Sequence, residues 1–192
     1  MANSAHTHAA RRVRRHQSSG RKEGARRGGP SEDQVTVVHV DDQVTVHVVD
    51  VARLLGGVRT LGRSPKGPLA AHELIERGLP ASAVISLLAK LTSMQRNPLL
   101  KALGMSERTV QRHKKEAPVK WLSPDQSGRT WKFAEILAKA TEVFGSQERA
   151  EKWLEQPAIG LEQRRPIDLL TTPAGTEIVE TFLGRLEHGV YT

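Results

Sequence analysis

Residues Leu103 to Glu116 read LGMSERTVQRHKKE. Two apolar residues flank a glycine, a serine follows, and then come ten mostly charged residues around a single valine. A helix-turn-helix needs a positioning helix, a tight turn that often holds Gly, and a recognition helix. Leu99, Leu100 and Leu103 supply the apolar face of the first helix, and Gly104 supplies the turn. Met105 packs inward, Ser106 caps the second helix, and Val110 anchors it. Glu107, Arg108, Gln111 and Arg112 then point outward in the half that meets base edges in a major groove. Arg forms bidentate bonds to guanine and Gln to adenine. Ser106 and Thr109 suit phosphate oxygens, while Lys114 and Lys115 suit neutralising them. The competing reading is an ordinary basic helix with a solvated charged face. Charge favours DNA, because residues 90–120 carry eight Lys/Arg against two acids. Pro98 is awkward inside the positioning helix, where it costs roughly 3 kcal/mol. Asn97 as cap, with Pro98 at the first helical position, removes the conflict and leaves a helix of about two turns.

A chain of 192 residues allows one domain or two small ones. It has no cysteine, which excludes disulfides and thiolate metal sites and fits a reducing cytoplasm. No apolar run approaches the roughly 18 residues of a membrane span, and the charged N-terminus lacks a signal-peptide core. The net charge of +8 is uneven. Residues 1–30 carry eight Lys/Arg and one Glu, whereas residues 133–192 carry six Lys/Arg and ten Asp/Glu. A basic middle and an acidic end point to two surfaces with different partners.

Working outward, residues 1–34 are rich in Arg, Gly and Ser and poor in large apolar groups. They are expected to be a disordered basic tail, either without specific use or adding non-specific phosphate attraction. Residues 35–68 are expected to hold a short β-hairpin and a linker. The near-repeat VTVVHVD/VTVHVVD favours strands, with Val44, Val46 and Val48 alternating with Thr45 and His47 and a turn at Asp41-Asp42. Residues 69–125 are expected to form the helix-turn-helix DNA-binding domain. There His72 to Arg77 reads as a short helix, and Val84, Leu87, Leu88 and Leu91 share one helical face.

Residues 126–192 form a second small helical domain. A helix over about 130–144 puts Trp131, Ala134, Leu137, Ala138, Thr141 and Phe144 inward and stops at Gly145. Ser146 caps a helix that Pro157 ends. The last helix has Thr172 as cap and Pro173 at its first position, with Val179, Phe182, Leu183 and Leu186 on its inner face. Gly189 takes the left-handed position beyond it, and Val190 can fold back onto the last turn. The fold class is therefore mainly α.

Catalytic signals are poor. Gly56-Gly57 fit neither a dinucleotide nor a P-loop pattern, and there is no Gly-x-Ser-x-Gly elbow. His6 and His8 fall in the tail, and His39 and His47 in the expected hairpin. The reading is of a binding protein without cofactor or metal, not an enzyme.

The segment WLEQPAIGLEQRRPIDLLTTPAGTEIVETFLGRLEHGV resembles the toxin-binding domain of the Xre/MbcA/ParS antitoxins. The matching pattern is Trp153, Leu154 and Pro157, then Pro166 with Asp168-Leu169-Leu170. Thr171, Thr172 and Gly175 follow, then Leu183, Arg185, Leu186 and Gly189-Val190. Upstream, GLPASAV, LGMSERTVQRHKK and EVFG resemble the Xre-like half of the same family. The likeness covers roughly residues 73–192. Residues 1–50 have no counterpart in it, and Pro98 and Trp131 depart from its pattern.

The resemblance implies the antitoxin of a bacterial type II toxin–antitoxin pair, partnered by a RES-domain toxin that consumes NAD. It implies a homodimer, autorepression at the operon's own promoter DNA, and a C-terminal end that blocks the toxin. Carried over, that blocking segment is Arg185, Glu187, His188, Gly189, Val190, Tyr191 and Thr192. The alternative is a stand-alone helix-turn-helix regulator without a toxin partner.

Overall fold

The computed structural model describes residues 47–116 and 120–189. The described residues are mainly helical and hold no strand, only two isolated bridges, Pro80 with Trp121 and Ala158 with Arg164. The tail, most of the expected hairpin and residues 190–192 lie outside the described residues.

The hairpin expectation fails where it can be read. Residues 47–54 are helical (α1), and His47 and Val48 sit in that helix. Val48, Val51, Ala52 and Leu55 are buried at spacings i, i+3, i+4 and i+7. That helical stripe, closed by burial, overrides the strand preference of valine, which depends on context. Val44 and Val46 lie outside the described residues.

The helices that follow are α2 (Gly57–Leu61), α3 (Pro68–Arg77), α4 (Ala81–Lys90), α5 (Arg96–Ala102) and α6 (Glu107–Glu116). Then come α7 (Pro124–Phe144), α8 (Gln147–Glu155), a 3₁₀ turn (Ile159–Leu161), α9 (Pro166–Leu169) and α10 (Pro173–Glu187).

α7 is the central element, with α3, α8 and α10 packed around it. It begins at Pro124, six residues before the expected start. The sequence SPDQ explains this. Ser123 Oγ accepts from the Gln126 amide at 3.2 Å, Gln126 Oε1 accepts from the Ser123 amide, and Pro124 fills the first position. This is a capping box, a signal present in the sequence and overlooked. Trp131, Ala134, Leu137 and Ala138 are buried as expected, and Phe133, Ile136 and Ala140 are buried too. A helix buried on more than one face marks the centre of a bundle rather than its surface.

α8 holds the link between α4 and α5. Glu151 is fully buried, and its Oε2 accepts from the amides of Thr92 (3.0 Å) and Ser93 (2.7 Å) and from Ser93 Oγ (2.9 Å). Its Oε1 accepts from Gln147 Nε2 at 2.7 Å. One turn on, Glu155 Oε1 accepts from the Gln95 amide at 2.7 Å. Residues four apart share a helix face, so two carboxylates of α8 satisfy the amides that lead into α5.

Candidate functional site

α5 begins at Arg96 with Gln95 in the cap position, not at the expected Asn97. Pro98 is thus the third helical residue. The first helical amides have no partner within the helix, so proline costs no hydrogen bond there. Glu155 supplies the acceptor that pulls the start back to Gln95.

The turn is a Schellman motif. The Met105 amide donates to the Leu100 carbonyl at 2.9 Å and the Gly104 amide to the Lys101 carbonyl at 3.1 Å. Gly104 has φ +66, and a Cβ there would meet Arg129 Cδ at 3.2 Å. Leu100 and Met105 are both buried. Ser106 caps α6, its Oγ accepting from the Thr109 amide at 3.1 Å and lying 2.9 Å from Thr109 Oγ1.

Val110 and His113 are the buried anchors of α6. His113 was not singled out in the sequence, although its i, i+3 spacing from Val110 was the available signal. Among the described residues neither ring nitrogen has a hydrogen-bond partner. Burial, with the charges of Arg112 and Lys120 adding, holds its pKa below the usual histidine value despite Glu116. The ring is therefore neutral at neutral pH, and the positive charge of α6 stays on the exposed face.

Six of the seven expected DNA-facing residues share one concave surface: Ser106, Arg108, Thr109, Gln111, Arg112 and Lys115. Lys114 is exposed outside it. Gln111 Nε2 donates to Glu107 Oε1 at 3.0 Å, and Glu107 lies 3.6 Å from Arg96. An exposed i, i+4 pair is worth only about 0.2–0.5 kcal/mol, so it constrains the Gln111 side chain little.

The second candidate surface is on the C-terminal half. Thr172 Oγ1 accepts from the Gly175 amide at 3.1 Å and caps α10. At its other end the His188 amide donates to Gly184 and the Gly189 amide to Leu186, both at 3.2 Å, with Gly189 at φ +65. Arg185, Glu187, His188 and Gly189 are all exposed. They do not share one face. Arg185 borders a recess with Ile178 and Phe182, whereas Glu187 turns to α7 and pairs with Lys139 at 3.4 Å. Val190, Tyr191 and Thr192 lie outside the described residues.

Phe182, expected on the inner face of the last helix, and Trp153 are half-buried and pack against the core. Phe144, Trp153 and Phe182 form a ladder with ring centroids 5.2 and 6.3 Å apart. The described residues contain no group of three His, Cys, Asp or Glu placed to hold a metal ion. None of their helices is long and apolar enough to cross a membrane.

Two family models match the chain. Residues 70–135 match the antitoxin Xre-like helix-turn-helix domain, and residues 139–189 match the antitoxin Xre/MbcA/ParS C-terminal toxin-binding domain. The two matches meet inside α7. An antitoxin Xre of Yersinia enterocolitica is 31% identical over 110 residues, covering 57% of this chain and 73% of the relative. An antitoxin Xre of Photorhabdus laumondii is 27% identical over 134 residues, covering 69% and 88%. The Prs ADP-ribosylating antitoxin of a Sphingobium species is 28% identical over 133 residues, covering 65% and 82%.

A helix-turn-helix joined through α7 to this C-terminal domain defines an antitoxin of a toxin–antitoxin system. Within that class, the chain belongs to the Xre family of antitoxins.

Proposed function

We propose that this antitoxin neutralises a RES-domain, NAD-consuming toxin through its C-terminal domain and, as a homodimer, represses its own operon through α6. The observation that carries the DNA half is the single concave surface formed by Ser106, Arg108, Thr109, Gln111, Arg112 and Lys115. Polar caps and guanidinium groups on one face suit phosphates and base edges together. For the toxin half, support comes from the match of residues 139–189 to a toxin-binding domain. The NAD chemistry draws on the Sphingobium relative, whose name places it with ADP-ribosylation, a reaction in which NAD is the donor. The segment from Arg185 to Thr192 is the inhibitory end, with Arg185, Glu187, His188, Gly189, Val190, Tyr191 and Thr192 as its contact residues. An acidic domain suits a basic, nucleotide-binding surface on the partner.

Arg108→Ala with Arg112→Ala is expected to weaken specific operator binding roughly 100-fold at fixed salt, since each bidentate base contact contributes about 1–3 kcal/mol. Unchanged specific affinity in a gel-shift titration rejects α6 as the reading element.

The toxin half is tested by co-expressing the product of the adjacent toxin-sized gene with the full chain and with a chain ending at Gly189. Growth rescue and co-purification are expected for the full chain. The shortened chain is expected to co-purify without rescue. Rescue by the shortened chain removes Val190, Tyr191 and Thr192 from the inhibitory role. Absence of association in either form rejects the toxin partner.

A further inference from the structure

We infer that Ile159 and Ile178 are the apolar anchors with which this chain grips its toxin, seated in an apolar recess with a mixed-charge rim on the toxin surface. The inference rests on the toxin-neutralising reading above and extends it from the chain end to a second, folded contact.

Ile159 is 85% exposed and Ile178 is 52% exposed. Single exposed apolar side chains are common on protein surfaces. These two are different because the structure holds them out. Ile159 projects from a tight loop whose ends pair, the Ala158 amide donating to the Arg164 carbonyl at 3.1 Å. The Gln163 amide returns to the Ala158 carbonyl at 3.0 Å, and Leu161 is plugged into the core. Glu162 and Gln163 adopt φ +53 and +61, the only positive values at non-glycine positions among the described residues. Such conformations are unfavourable for side-chain-bearing residues and cluster where a binding element is fixed in place. Beneath the loop, Gly160 lies against Phe182, so close that a Cβ there would stand 2.1 Å from the ring. A loop clamped in this way loses little freedom on binding, which raises the net yield of an apolar anchor.

Ile178 lines a recess that starts at Gly160, the residue after Ile159. It lies outside the Val179, Phe182, Leu183 and Leu186 stripe of α10, so packing of the helix does not require it. With Gly160, Ala174 and Phe182 it lines a recess that Glu177 and Arg185 close. Arg185, the first residue of the proposed inhibitory segment, lies on the edge of this recess. The whole lies within the match to a toxin-binding domain at residues 139–189. The polar rim of the recess carries both signs, in Glu177 and Arg185, and the match to a toxin-binding domain argues for the toxin as its occupant rather than a second copy of this chain.

The test uses the full chain and the product of the adjacent toxin-sized gene, with affinity read by titration calorimetry. Ile159→Asp/Ile178→Asp is expected to bind roughly 30-fold more weakly or worse, the range of interface hot spots. Ile159→Ser/Ile178→Ser is expected to weaken binding in the same direction. Leu69→Asp, at a comparably exposed apolar site on α3, is expected to stay within threefold of the unaltered chain. Operator affinity and melting temperature are expected to hold in all three variants. If the unaltered chain binds and both double variants bind within threefold of it, the inference is wrong. Loss of self-association with toxin affinity intact also overturns it, by assigning the patch to a second copy. Failure of the unaltered chain to bind sinks the toxin reading itself, and this inference with it.

Discussion

Glu151→Ala is expected to destabilise the folded chain by about 3 kcal/mol, because hydrogen bonds to a buried charged acceptor contribute about 1.5–3 kcal/mol and orphaned donors cost about 1–3 kcal/mol each. The substitution strips the amides of Thr92 and Ser93 of their acceptor and leaves Gln147 Nε2 with the Lys90 carbonyl alone. Denaturant midpoints read the loss, with an unchanged slope marking a change in stability alone. Glu151→Gln separates the contributions. Its single carbonyl oxygen can keep the Thr92 and Ser93 bonds, but its amide group then faces the amide group of Gln147. An intermediate loss is expected. If the Ala variant unfolds at the unaltered midpoint, the carboxylate is not what fixes the α4–α5 link.

Gly175→Ala is the second large effect, and two terms oppose each other in it. Alanine in a helix is favoured over glycine by about 1 kcal/mol. Against this, a Cβ at residue 175 would stand 2.1 Å from the Leu169 carbonyl oxygen and 2.9 Å from its carbon. Both are backbone atoms, so no side-chain rotation relieves the contact. The α9–α10 junction must open, and overpacking of this kind costs about 1–3 kcal/mol even when side chains can adjust. The net expectation is a loss of about 2 kcal/mol, together with reduced toxin affinity as Ile178 and Arg185 move with α10. A melting temperature equal to or above that of the unaltered chain would show that the junction yields freely.

The helix-turn-helix was legible because each of its parts has a local signature: the leucines of α5, Gly104, the Ser106 cap and Val110. The ends of α8 and α10 were legible for the same reason, through Ser146, Pro157, Thr172 and Gly189. The start of α7 is equally written, in Ser123, Pro124 and Gln126, ahead of the apolar stripe that begins at Trp131. Residues 47–54 misled because valines at alternate positions also carry a helical stripe when Val51, Ala52 and Leu55 are included. The start of α5 could not be read locally, since it depends on Glu155, some sixty residues away. The candidate segment on α10 does not form one surface, because Arg185 and Glu187 stand close in sequence while the helix turns them apart. The exposure of Ile159 depends on Gly160 and Phe182 meeting, which no local pattern announces.

The two carboxylates of α8 have a thermodynamic consequence. Through Glu151 and Glu155, a helix of the partner-facing half supplies the acceptors for the amides that launch α5, and α5 sets the angle of α6. Whatever displaces α8 therefore alters the placement of α6, the helix proposed to read the operator. Coupling of this kind is reciprocal: to the extent that the occupied partner surface changes affinity for DNA, bound DNA changes affinity for the partner by the same factor. Under the function proposed above, promoter occupancy and toxin sequestration become linked variables, joined by three donors of the α4–α5 link on Glu151 and a fourth on Glu155.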